Sequence, residues 1–269
     1  MNVKSKELYI IKYGSNTLVQ ENAKWEIEID TSVLHQHWEI INTIDSPIIL
    51  VSSWAVAFWK TLPWDYSYIQ DEIIRKRVYA ALWNPHLSIH WDSVIHWKNV
   101  LQGLLTHRDL SFPDSQEKIL EIMQGLFQKN NTIIQVNDND VVTDEELQYI
   151  RWWDFGDNDE TTYLIAKLCS DLFQKITVII NTSSNGVYNE DWETLRYLNP
   201  KDMDDTYIES ICSGKSKLWT GGMVNKLKIV KKIAEIKNST VFIVNGKNAN
   251  SLKDITTGRH SGTKVSSKA

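Results

Sequence analysis

Five short apolar runs, each followed by a polar or glycine-containing turn, alternate along the chain with segments of helical period. Leu8 to Lys12, Ile48 to Ser53, Thr132 to Val136, Ile176 to Asn181 and Thr240 to Val244 read as strands. Ile69 to Leu82, Asp92 to Leu105, Ser115 to Gln128, Asp157 to Gln174 and Gly222 to Lys237 read as helices, with Ser115 and Asp157 as N-caps. This alternation predicts an α/β fold, a three-layer α-β-α sandwich around a mainly parallel sheet. Ligands of such sheets collect at the carboxyl ends of the strands, where Gly14-Ser15, Ser52-Ser53, Asn137 to Asp140, Thr182-Ser183 and Asn245-Gly246 fall.

Composition narrows the picture. A chain of 269 residues, 42% of them hydrophobic, can bury one large core or two modest ones, and the reading is of a soluble protein. Leu8-Tyr9-Ile10-Ile11 is too brief for a signal-peptide core, so the cytoplasm is expected. Cys169 and Cys212 form no CxxC, which disfavours a disulfide framework or a thiolate zinc site. A net charge of −5 argues against nucleic acid as the main partner. Lys228, Lys231, Lys232 and Lys237 share a helix with Leu227, Ile229, Val230, Ile233 and Ile236 and read as its solvated face. His86 with His90, and His35 with His37 on one face of a strand, lack an acidic or thiolate partner at zinc spacing. No GxSxG hydrolase elbow and no P-loop occurs.

Three runs stand in a recognisable order: Val136-Asn137-Asp138-Asn139-Asp140, Phe155-Gly156-Asp157-Asn158-Asp159 and Thr220-Gly221-Gly222-Met223-Val224-Asn225-Lys226. Together they resemble the active site of the glutamate 5-kinases, a branch of the amino-acid kinases, and the resemblance runs from about Lys12 to Thr263. It implies the amino-acid kinase fold over residues 1–265, with a frayed tail at 266–269 and no C-terminal RNA-binding-type module. The implied reaction moves the γ-phosphate of ATP onto the γ-carboxylate of L-glutamate, the first step towards proline. Another acceptor within the amino-acid kinases, or a dead binding protein, are the alternatives. The resemblance also implies Mg2+ held mainly by the nucleotide phosphates and a homo-oligomer, dimeric or tetrameric; no apolar run is long enough to cross a membrane, so no membrane partner is expected.

Phosphoryl transfer to a carboxylate brings two anions together, so positive charge is needed at the moving phosphate. Lys12 and Lys226 are the candidates, and the resemblance makes Asp159 the group that orients them. It assigns Ser53, Asp140 and Asn158 to the amino acid. On the residues alone, Asp140 also reads as an Asx turn and Ser53 as an ordinary turn former. Thr182, Ser183, Thr220, Gly221, Gly222, Met223, Val224 and Asn225 would meet ATP together with the two lysines. Ser183 stands where the family segment T-D-x-x-G-L-Y has aspartate, which bears on nucleotide preference.

Twelve tryptophans against eleven glycines is an unusual ratio. The family pattern S-G-A-I-A-A-G resembles Ser53-Trp54-Ala55-Val56-Ala57-Phe58-Trp59, A-A-V-G-Q resembles Ala80-Ala81-Leu82-Trp83-Asn84, and G-T-G-G-M resembles Trp219-Thr220-Gly221-Gly222-Met223. Indoles therefore occupy glycine positions at 54, 59, 83 and 219. Two explanations follow: a kinase whose pocket has filled, or UGA codons that the source organism decodes as glycine and that are written here as tryptophan. The second is favoured because the change is uniform and Lys12, Asp140, Asn158, Asp159 and Lys226 are intact. Trp25, Trp152 and Trp192 read as ordinary aromatics.

Overall fold

In chain order the elements are β1 (Ser5–Tyr13), β2 (Val19–Glu21), β3 (Ile27–Ile29), α1 (Thr31–Thr43), β4 (Ile48–Ser52), α2 (Glu72–Val94), β5 (Asn99–Leu105), α3 (His107–Ser111), α4 (Pro113–Phe127) and β6 (Thr132–Asp138). They continue with α5 (Asp159–Cys169), β7 (Phe173–Thr182), β8 (Tyr197–Leu198), α6 (Asp205–Cys212), α7 (Gly221–Ala234), β9 (Ser239–Asn245), α8 (Ala249–Thr256) and β10 (Thr263–Val265). The structure is a computed structural model and describes residues 5–14, 17, 19–21, 27–52, 65–95, 98–142, 158–212 and 221–267. Eight strands form one sheet in the order β5-β6-β4-β1-β7-β9-β10-β8, and β2 pairs with β3 in a separate ribbon. Every pairing from β5 to β9 is parallel; β10 runs antiparallel to β9 and parallel to β8.

Both faces of the sheet are covered. Successive side chains of a strand point to opposite faces, and β1 shows the consequence. Leu8 and Ile10 join a core with Ile165 and Ala166 of α5 and Leu227 and Val230 of α7. Tyr9, Ile11 and Tyr13 join another with Leu34, Trp38 and Ile41 of α1, Leu87 and Trp91 of α2 and Leu252 of α8. Ile48 to Val51 of β4 are wholly buried, each contributing about 2 kcal/mol of hydrophobic burial. The expected three-layer sandwich is thus present. Among the described residues no helix is long and apolar enough to cross a membrane.

Several expected elements are corrected. Asp92 to Leu105 is not a helix: α2 runs to Val94, through Pro85, and Asn99–Leu105 is the edge strand β5 paired with β6. Leucine spacing imitated a helical stripe there, but parallel pairing with the buried β6 satisfies the backbone of the run. Helix α5 stops at Cys169, because Phe173 already pairs with β1 at Ser5. Ser115 caps nothing; α4 starts at Pro113, whose missing N–H suits the first turn, with Phe112 at the cap position. His35 and His37 sit on a helix rather than a strand, where residues two apart do not share a face. Trp192 is a surface aromatic, as expected, beside Tyr188, and its φ is +64°, a region that disfavours any bulky side chain.

Candidate active site at the carboxyl ends of the strands

Lys12 has the same parity on β1 as Leu8 and Ile10, so its side chain runs into the layer of α5 and α7. It is wholly buried, and its Nζ lies 3.0 Å from Asp159 Oδ1. Lys226, one turn into α7, donates to the other carboxylate oxygen at 2.7 Å. Asp159 is the first residue of α5, where unpaired backbone N–H groups favour an anion. Burial would raise its pKa, but Lys12 and then Lys226 outweigh burial and hold it below the usual carboxylate range. For Lys12, burial pushes the ammonium down, Asp159 pulls it back up and Lys226 pushes it down again. One carboxylate therefore holds two lysine side chains next to each other under the strand ends.

The end of β6 serves two faces. Ile134 and Val136 belong to the α5 side of the sheet, so Asp138 does too; it accepts a 2.7 Å bond from Thr161 Oγ1, and His107 Nε2 lies 3.1 Å from the same hydroxyl. Gln135 and Asn137 point the other way, to Ser88 and Asn84 of α2, each bond 2.5 Å long. Asn158 joins the two sides. Its Nδ2 donates to the Ser52 carbonyl at 2.8 Å and to Asn137 Oδ1 at 2.6 Å. Just beyond β6, Asp140 is buried; burial and then the charge of Asp138 push its carboxyl up to about 7, against a smaller pull from Arg77.

On the far side of β1 the chain packs too closely for side chains. A Cβ at Gly246 would run into Thr17 and lie 2.7 Å from the Cβ of Asn181. Gly246 N–H donates to Thr182 O at 2.8 Å, and its carbonyl accepts from His37 Nε2 at 2.8 Å. His37 Nδ1 in turn accepts from the Tyr13 hydroxyl at 2.9 Å. Burial lowers the His37 pKa to about 4, with the Gly246 bond opposing, so the ring is neutral and serves as a strut. Asn181 Nδ2 bonds Lys12 O at 3.1 Å, and Thr17 Oγ1 bonds Asn181 O at 3.1 Å. Thr182 is buried with its hydroxyl among Ser184 and Val244 O, while Ser183 is exposed.

The structure thus brings Lys12, Asp159 and Lys226 together, with Asn158 next to Asp159 and Asp140 following β6. Thr182 ends β7 and Ser183 follows it. Gly221 and Gly222 open α7, followed by half-buried Met223 and Val224 and exposed Asn225. Ser53 and Thr220 lie outside the described residues, as do Trp54, Trp59 and Trp219. Lys228 and Lys232 pair with Asp205 and Glu160 at the surface. From the sequence, Asn84, Thr161 and Asn181 carry no role, and Ser52 is placed only as a strand-end residue. The signal for Asn137 was present, since strand parity separates it from Asp138.

The amino acid kinase family matches residues 7–245. A glutamate 5-kinase of Dehalococcoides mccartyi (strain CBDB1) is 28% identical over 276 aligned residues, which cover 98% of this chain and 69% of that protein. A glutamate 5-kinase of Streptococcus uberis is 26% identical, covering 94% of this chain and 93% of the relative. Among solved structures, the carbamate kinase of Giardia superposes with a TM-score of 0.63 at 13% identity, covering 97% of this chain and 98% of that one. The Giardia lamblia carbamate kinase bound to AMP-PNP gives 0.60 at 15% identity, covering 98% of this chain and 99% of that one. At such identities the likeness is one of fold.

Proposed function

The chain belongs to the amino acid kinase family, and from that premise we propose that it transfers the γ-phosphate of ATP to the γ-carboxylate of L-glutamate. The product is γ-glutamyl phosphate, and the step is the first towards proline. One observation carries the reading: a carboxylate that clamps two lysines beside an oriented asparagine amide, at the strand ends. The two glutamate 5-kinases named above support the choice of acceptor.

The chemistry needs no general base, because the attacking γ-carboxylate is already ionised at neutral pH. Its oxygen bonds to the γ-phosphorus as the bond to the β-γ bridging oxygen breaks, and ADP leaves with that electron pair. Lys12 and Lys226 neutralise the charge spread over the equatorial oxygens, and Asp159 keeps both ammonium groups in place before substrate arrives. Asn158 and Asp140 would hold the amino-acid end, with Ser53 as a further contact. The end of β7 at Thr182, with Ser183, Thr220 and the opening of α7 from Gly221 to Asn225, would meet the nucleotide. Both oxygens of Asp159 are taken up by lysines; magnesium suits this site as an ion carried by the ATP phosphates and water rather than by a protein cage.

The reading takes positions 54, 59, 83 and 219 as glycine in the protein its cell makes. A second reading, a protein that binds without transfer, is favoured only if those indoles are genuine. The acceptor is tested on the version with glycine at 54, 59, 83 and 219, by trapping acyl phosphate as hydroxamate with Mg-ATP and glutamate, aspartate, acetylglutamate or carbamate in parallel. Product with glutamate alone is expected. Product with another acceptor in its place would overturn the assignment.

A further inference from the structure

We propose that Asn84, on α2, is a positioning residue for the acceptor amino acid, acting through Asn137 on Asn158. The inference rests on the reading that Asn158 meets that amino acid. Three amides stand in a row across the ends of β4 and β6. Asn84 Oδ1 accepts from Asn137 Nδ2 at 2.5 Å, and Asn137 Oδ1 accepts from Asn158 Nδ2 at 2.6 Å. Asn158 Nδ2 also donates to Ser52 O at 2.8 Å. All three side chains are buried, between 2% and 3% exposed.

The order of donors matters. An asparagine amide can flip, and only its partners fix which end is oxygen. Ser52 O can only accept, so it fixes the Asn158 amine; Asn137 then meets that amine with its carbonyl and turns its own amine to Asn84 Oδ1 on α2. That carbonyl and Ser52 O then occupy the amine of Asn158, so Oδ1 of Asn158 faces the opposite way, as an acceptor suited to an ammonium group. Asn84 is itself pinned, since its backbone carbonyl accepts from Gln102 Nε2 at 2.9 Å on β5.

The test is Asn84→Ala, with Asn84→Asp as the variant that keeps an acceptor oxygen. With glycine at 54, 59, 83 and 219 in parent and variants alike, steady-state kinetics should show the glutamate KM rising about tenfold in Asn84→Ala, the ATP KM within twofold of the parent, and most of the loss recovered in Asn84→Asp. An unchanged glutamate KM, or equal rises for both substrates, would overturn the proposal. A second readout does not depend on the acceptor. With asparagine side chains labelled, the NH2 protons of Asn137 and Asn158 should exchange slowly in the parent and at least tenfold faster in Asn84→Ala; equal rates would overturn the relay. Slow exchange in a parent that never phosphorylates glutamate would retain the relay while the assignment of the acceptor fails.

A second inference rests on a different observation. Trp192 closes a tight turn in which its N–H donates to Asn189 O at 3.2 Å and Asn189 N–H donates to Glu193 O at 2.9 Å. Asn189 Oδ1 caps the turn from within, accepting from Asp191 N and Glu193 N. The turn needs its fourth residue in the left-handed region, where tryptophan has a φ of +64° and an indole 54% exposed. We infer that position 192 is also glycine in the biological protein. A UGA codon there is expected, and UGG would overturn the inference. Independently, Trp192→Gly should raise the Tm by about 3 °C while Trp192→Ala does not; equal effects would also overturn it.

Discussion

The charged cluster under β1 and the tryptophans of the same chain stand in opposite relations to their surroundings. Lys12, Asp159 and Lys226 are buried, yet each has a partner at 2.7 to 3.0 Å and a backbone position that aims it there. Trp38 and Trp91 are as deeply buried. Trp38 Nε1 has no hydrogen-bond partner among the described residues. Trp192 holds a backbone conformation suited to glycine. Burying charge demands precision and here receives it, whereas burying indole should be easy and here is awkward. The difference teaches that the Lys12–Asp159–Lys226 cluster is fully paired while Trp38 and Trp192 sit badly in their surroundings.

The largest effect that would break this contrast is at its centre. Asp159→Ala leaves Lys12 buried without a carboxylate and should cost about 3–5 kcal/mol, read as a Tm lower by about 10 °C. A Tm within 2 °C of the parent would show that the cluster is not structural. Lys226→Met keeps the Lys12–Asp159 pair, so in the parent with glycine at 54, 59, 83 and 219 the fold should survive while kcat falls about 10²–10³-fold. A fall of less than threefold would remove Lys226 from the chemistry.

Asp140 gives the pH dependence. Its folded pKa is raised, to about 7 from an ordinary 3.8, so the folded state holds the proton more tightly than the unfolded chain. Stability therefore decreases as pH rises from about 4 to 7, and the burial cost is fully present above that window. Asp140→Asn should raise the Tm at pH 8 by about 3 °C, with the gain fading by pH 4, even as glutamate binding weakens. A gain independent of pH would point to packing instead. The parent's glutamate KM should rise roughly fivefold from pH 7 to pH 6 as Asp140 takes up its proton. The smallest effect belongs to the tryptophans: Trp38→Phe removes the unpartnered Nε1 and should leave the Tm within about 2 °C or raise it. The roughly 3 kcal/mol loss usual for a large core truncation would show that Trp38 is well packed after all.

What the sequence disclosed follows the same divide between local and tertiary causes. The strands β1, β4, β6, β7 and β9 were legible because each is a dense apolar run buried beneath helices on both faces. The edge strand β5 was not, since Val100, Leu101, Leu104 and Leu105 fit a helical stripe equally well and only pairing with β6 decides the matter. β8 and β10 are too short to announce themselves. Lys12, Asp159 and Lys226 could be picked out by motif, though their distances could not. Asn84 lies 53 residues from Asn137 in the chain, and nothing local links them. Their contact arises because the parity of β6 turns Asn137 towards α2 while Asp138 faces α5.

The most direct measurement is acyl-phosphate formation from glutamate and Mg-ATP, trapped as the hydroxamate, for the chain as written and for a version with glycine at 54, 59, 83 and 219. The account predicts turnover in the glycine version and little or none in the written chain. Silence from both would contradict the assignment of this site to glutamate phosphorylation, and full activity in the written chain would contradict the claim that its tryptophans are misplaced.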